Sequence, residues 1–227
     1  MTKAIIFDAS SLISLAMNGL LPELENLKKV FGGKFIITKD VEREAIERPI
    51  KIPRFALEGL RLRELFRKGV LELPSAVGVN DEEINLETSR FENLANNIFS
   101  SNREKIELIH RGETSSLALS RILSEIKIEN VICIDERTTR MLVEKPENLK
   151  DLLERKMHVK VKLGKEEFRA FKGFKIIRST ELMYVAWKKN LVRLKDGRKV
   201  LEALMWALKF KGCAISDDEI KEIARLG

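Results

Sequence analysis

This chain of 227 residues contains no glutamine, two cysteines, two histidines, one tyrosine and five prolines. Each shortage narrows the field. Cys133 and Cys213 are too few for a disulfide framework, and free buried thiols are the expectation. With His110 and His158 they lack the spacing of a zinc site. No apolar run approaches the ~20 residues needed to span a bilayer. Near the N-terminus Lys3 precedes only a short apolar stretch, without a cleavage-site pattern. The expectation is a cytoplasmic chain without a membrane partner.

Charge, by contrast, is plentiful. Charged residues make up 34% of the chain, above the usual ~25%. With glutamine absent, the Lys, Arg and Glu enrichment resembles that of heat-adapted proteins. The net charge of +7 is unevenly spread. Residues 1–139 hold 20 Lys and Arg against 22 Asp and Glu, whereas residues 140–227 hold 22 against 13. An acidic-to-neutral front and a basic rear suit a carboxylate site beside a polyanion-binding surface.

Apolar runs at residues 4–7, 35–37 and 131–134 alternate with amphipathic helical stretches. That order predicts an α/β fold with a mostly parallel central sheet flanked by helices. Thr38 or Asp40 is placed to cap a helix over 41–47, and Pro49 and Pro53 to break the chain. Helices are expected at 55–68, 84–98, 103–109, 113–120, 180–190, 196–209 and 217–226. The run 158–163 alternates with period two. It reads as an exposed strand, with 174–177 as its partner in a β-hairpin within a basic C-terminal extension. The division expected is a core over 1–142, a basic insertion or subdomain over 143–178, and C-terminal helices over 179–227 that pack on the core.

Four acids stand out by setting. Asp8 and Asp135 end predicted strands, while Glu44 and Glu113 lie in early helical turns. In a parallel sheet these places share the carboxyl edge, where ligands bind. Taken singly, the aspartates suit helix caps and the glutamates suit the positive end of a helix dipole. Brought together, four carboxylates repel, and a hard divalent cation such as Mg²⁺ or Mn²⁺ relieves them. Glu42 and Glu47 compete with Glu44 for its place.

In order and context this set resembles the PIN-domain nucleases. The likeness rests on DASSLI at residues 8–13, TKDVEREAI at 38–46, RGETSSLALS at 111–120 and ICIDERTTRM at 132–141. It implies a PIN-like three-layer fold and Mg²⁺- or Mn²⁺-dependent endoribonuclease activity. Asp8, Glu44, Glu113 and Asp135 would be the metal-binding and catalytic residues. It also implies hydroxyl groups that orient water or phosphate, at positions matched by Ser10 and Thr138; both also suit caps. Glu136 is a candidate outer ligand or an exposed helix-start residue. A haloacid-dehalogenase-like phosphatase also opens on a strand ending in Asp. It needs a second Asp two residues on, and Ser10 stands there.

The expected nucleic-acid contacts are Lys160, Lys162, Lys165, Arg169, Lys172 and Lys175, interleaved with Phe168, Phe171 and Phe174. Rings that stack on bases and cations that meet phosphates would make such a surface. Alternatively the rings bury and the cations are solvated. RNA is the expected partner. A homodimer and a small acidic, antitoxin-like protein are further partner expectations. Two alternatives stay open: a toxin-type ribonuclease of a toxin–antitoxin pair, and a catalytically silent RNA-binding or assembly module.

Overall fold

A computed structural model describes residues 2–100, 109–158, 160, 162–163 and 168–226. The expected helix at 103–109 falls almost wholly outside these, as do Lys165 and the side chain of Lys162. The main sheet is all parallel, in the order β2-β1-β4-β6. Its strands are β1 (Lys3–Phe7), β2 (Lys34–Ile36), β4 (Glu129–Cys133) and β6 (Ile176–Ile177). β1 lies at the centre, with Ile5 opposite Phe35 on one side and Val131 on the other.

Alternation along β1 builds the two cores. Ile5 and Phe7 enter one apolar cluster, and Ala4 and Ile6 enter the other. Successive side chains on a strand point to opposite faces, so a continuous apolar run is the mark of a sheet covered on both sides. On the Phe7 face lie α1 (Ala9–Met17), α2 (Leu21–Phe31) and α5 (Ala56–Arg67), with α10 (Ser179–Lys188), α11 (Gly197–Phe210) and α12 (Asp217–Leu226). On the Ile6 face lie α6 (Asp81–Ile98), α7 (Arg111–Glu125), α8 (Arg137–Glu144) and α9 (Pro146–Met157). The result is the three-layer α/β arrangement expected from the strand–helix alternation.

Several local expectations shift. Thr38 does cap the helix after β2, its Oγ1 accepting from the Val41 amide at 3.2 Å. That helix starts at α3 (Lys39–Glu42), widens into a π-turn at Arg43–Glu47 and continues as α4 (Arg48–Ile50). Pro49 sits in the first positions of this last turn, where its missing N–H costs little. The expected hairpin does not form. β5 (Lys162–Leu163) pairs antiparallel with β3 (Phe99–Ser100), and β6 instead extends the main sheet beside β4. Parallel pairing there leaves the apolar Ile176 and Ile177 on a largely covered edge, which period-two reading of a single strand does not reveal.

The aromatics of the basic stretch turn inward. Phe171 is fully buried and meets Phe91 at 5.2 Å between ring centroids. Phe174 packs on the same ring at 5.8 Å, with Arg121 over its face. Lys160, Arg169, Lys172 and Lys175 remain exposed. Among the described residues, no helix is long and apolar enough to cross a membrane.

Ile6 is fully buried in the central strand. Ile6→Ala is expected to cost about 2–5 kcal/mol, lost transfer energy plus a cavity. Urea unfolding at unchanged m-value checks this, and a loss below about 1 kcal/mol would mean that β1 is not the middle of the core.

Candidate metal centre

The carboxyl ends of β1 and β4 are laced together. The Asp8 amide donates to the Cys133 carbonyl at 3.0 Å. Ser11 Oγ lies 2.9 Å from both the Asp8 and the Cys133 carbonyl oxygens. Ser10 Oγ donates to Asp8 Oδ2 at 2.6 Å and accepts from the Asp135 amide at 3.1 Å. Asp8 also caps α1, accepting from the Ser10 amide at 2.9 Å. The two strand-end aspartates thus leave neighbouring strands at one edge, and Ser10 spans them.

Glu113 arrives from across the sheet. It is three residues into the helix opened by His110, and its Oε2 accepts from the His110 amide at 2.6 Å. This is the reciprocal bond of a capping box. It holds the carboxylate at the start of α7, only 7% exposed. The third acid depends on α3 and the π-turn. Thr38 Oγ1 shares a hydrogen bond of 2.7 Å with Ser115 Oγ, which ties the start of α3 to α7. One turn later, Glu44 reaches Gly112.

Gly112 is what allows the acids to meet. A Cβ built there would stand 2.5 Å from Glu44 Oε2 and 3.8 Å from Asp8 Oδ1. The missing side chain is therefore the space that Glu44 fills. Of the three competing glutamates, Glu44 is the one at this position. Glu42 instead feels Glu47, Lys39 and Asp81.

Repulsion and desolvation mark the cluster. Burial, with a contribution from Glu44, raises the Asp8 carboxyl to about 6 despite its bonds to Ser10. Burial first, then Asp8, Glu136 and Glu44, raise Glu113 to about 8. Asp8 Oδ1 is buried with no hydrogen-bond partner among the described residues. Glu136, which the sequence left between outer ligand and surface residue, is half-buried and acts on Glu113 while capping α8 through the Thr139 amide at 2.8 Å.

Asp135 behaves differently. Its Oδ1 accepts from the Ser179 amide at 2.8 Å and its Oδ2 from Ser179 Oγ at 2.6 Å. Both oxygens are engaged in holding the start of α10. Burial raises its carboxyl while the Ser179 bonds lower it. Cys133 and Cys213, near this carboxylate, are free and buried as expected, and burial pushes the Cys213 thiol up to about 12. Thr138 lies half-buried in the first turn of α8. Sequence spacing cannot separate Asp135 from Asp8, because both follow a strand. What distinguishes them is Ser179, 44 residues further on.

Oxygen-only donors, an orphaned buried Asp8 oxygen and carboxyls raised by burial and by their neighbours fit a hard divalent cation. Among the described residues no three His, Cys, Asp or Glu side chains stand in a ready ligating arrangement. The acids are gathered, not closed into a cage. Comparisons with protein-family models, with curated proteins and with solved structures find no match for this chain.

The raised carboxyls set a pH dependence. Asp8 and Glu113 hold protons in the folded state that the unfolded chain releases at lower pH, so stability falls as pH rises from about 4 to about 8. In chelator, the melting temperature is expected to decline across that window. Each unit by which a carboxyl's pKa is raised on folding contributes about 1.4 kcal/mol to that loss. Asp8→Asn should flatten the decline. A melting temperature independent of pH from 5 to 8 would mean that folding does not raise these carboxyls.

Proposed function

We propose that this protein is a PIN-like endoribonuclease dependent on Mg²⁺ or Mn²⁺, with Asp8, Glu44 and Glu113 as the principal metal-binding acids. The observation that carries the reading is that Glu44 Oε2 and Asp8 Oδ1 both stand beside the bare Cα of Gly112, the neighbour in the chain of Glu113, whose carboxyl feels the charge of both. Such crowding costs stability unless a cation offsets it. RNA as substrate rests on the resemblance to PIN-domain nucleases.

A bound hard cation supplies an activated water and a Lewis-acid grip on the phosphodiester. The chain's own residues supply the rest. Ser10 holds Asp8 Oδ2, which leaves Oδ1 as the open donor. The capping bond to His110 aims Glu113 while leaving its second oxygen for the site. Glu136 stands at the rim as an outer carboxylate. Asp135 keeps its place at the edge as a brace, fixing α10 through Ser179 and the Ser10 hydroxyl through its amide. Exposed Lys160, Arg169, Lys172 and Lys175 add positive charge for an RNA strand.

Two substitutions test the reading. Asp8→Asn should abolish Mn²⁺-dependent cleavage of a labelled RNA while preserving the far-ultraviolet circular dichroism. Cleavage at the wild-type rate by the purified variant would end the proposal. Gly112→Ala separates function from folding. Its methyl group would displace the Glu44 carboxylate, the mobile end of a side chain, while Ala favours a helix by up to about 1 kcal/mol over Gly. The expected outcome is a melting temperature equal to or above wild type, with Mn²⁺ affinity by calorimetry at least about tenfold weaker.

A further inference from the structure

The loop joining α10 to α11 carries a run of positive charge with few carboxylates beside it. Residues 188–199, KKNLVRLKDGRK, contain six cations and one acid. Arg193 pairs with Glu23 at 3.1 Å. Lys188, Lys189, Lys195, Arg198 and Lys199 have no carboxylate within ion-pair distance among the described residues, and all five are exposed. Lys188 and Lys189 suit the negative end of α10. Arg198 and Lys199 do not have that excuse. They occupy the first turn of α11, which holds no acidic residue, and the helix dipole there disfavours cations.

Two of these cations, Lys188 and Lys195, line a cleft of about 430 Å³, and Arg198 and Lys199 follow directly in the chain on its lining residue Gly197. Trp187, Val192 and Leu194 line its apolar part, and Lys188 and Lys195 line its charged part. Trp187 Nε1 donates to the Gly197 carbonyl at 3.1 Å, which pins the indole across the loop, and the ring lies 6.3 Å from Tyr184 in a stacked arrangement. Leu194 is 69% exposed. Lys195 donates to the Asn190 carbonyl at 3.1 Å and Lys188 lies over the Tyr184 ring, so neither charge is neutralised by a carboxylate; with the fixed indole they give the two components that single-stranded nucleic acid requires, a face for bases and charge for phosphates. An apolar peptide or acyl chain would desolvate the lysines without pairing them.

We propose that this cleft is an exosite for single-stranded RNA, with Trp187 against a base and Lys195, Arg198 and Lys199 on the phosphates. It lies at the far end of α10 from Asp135, about 15 Å along that helix. It therefore retains the strand without touching the acid cluster. In the described part of the basic stretch, Phe171 and Phe174 are committed to the packing around Phe91, and Lys172 lies over Phe168. The choice of RNA rests on the nuclease reading, but binding itself needs neither the metal nor the acids.

The test measures binding of a fluorescent single-stranded RNA to the full chain in chelator, over a range of salt. The variant is Lys195→Ala/Arg198→Ala/Lys199→Ala, with Asp8→Asn as a second comparison. Loss of three phosphate contacts should weaken affinity at least about tenfold and lower the salt slope by about 2, since each contact contributes about 0.7 for single strands. In a Trp206→Phe background, which leaves Trp187 as the sole indole, RNA should quench emission, and the triple substitution should remove the quenching. Unchanged affinity and slope in the triple variant overturn the exosite, whatever Asp8→Asn does to cleavage. Tight binding of anionic vesicles with no binding of RNA overturns it in favour of a membrane surface. Loss of RNA binding in the triple variant alone, with no cleavage by the wild type, upholds the exosite and refutes the nuclease reading.

Discussion

Like-charge crowding at the carboxyl edge of the sheet is the constraint around which this protein is arranged. Asp8 and Glu113 are both almost wholly removed from water, yet beyond the effect of burial Glu44 raises the affinity of Asp8 for protons, and Asp8, Glu136 and Glu44 raise that of Glu113. Packing alone gives no reason for that. The edge is assembled from separate elements: a strand end, a capping box and a π-turn, with one glycine between them. Each is an ordinary device of local structure, and together they oppose stability unless positive charge enters. A site that costs folding energy and is nevertheless built with such economy has the character of a functional centre.

Around the crowded acids runs a layer of neutral hydrogen bonds that has the opposite effect. Ser10, Ser11 and Ser179 tie together β1, β4 and α10 through short contacts to backbone and carboxylate, and Ser115 ties α7 to the start of α3 through the Thr38 hydroxyl. Small hydroxyl side chains permit the close approach of helices and sheet and satisfy buried acceptors at the same time. Asp135 belongs to this layer. Its carboxylate is as buried as Asp8's, but both of its oxygens are paired whereas Asp8 keeps one unpaired. Identical residue types at equivalent strand ends therefore differ in how their oxygens are hydrogen-bonded.

The basic rear of the chain divides in a comparable way. Its phenylalanines complete the core on the Ile6 face, and its first cations stay on the surface. Cations without a carboxylate partner among the described residues lie further on, beside Trp187 at the turn between α10 and α11.

Alternation of apolar runs with amphipathic stretches determined the parallel sheet and its two covered faces, because period two and period 3.6 are local properties of a chain. The same locality put Asp8, Glu113 and Asp135 at one edge and Thr38 at its cap. It could not assign 176–177 to the main sheet, since strand partners are chosen by what remains uncovered after the helices pack. Nor could it choose Glu44 over Glu42 and Glu47, which lie within one turn of it. A π-turn and the bare Cα of Gly112, 68 residues away, made that choice. The pairing of Asp135 with Ser179 was likewise a tertiary decision. Residue type and spacing select which groups reach the edge of a sheet; only three-dimensional packing determines which of them find partners and which are left with charge to share.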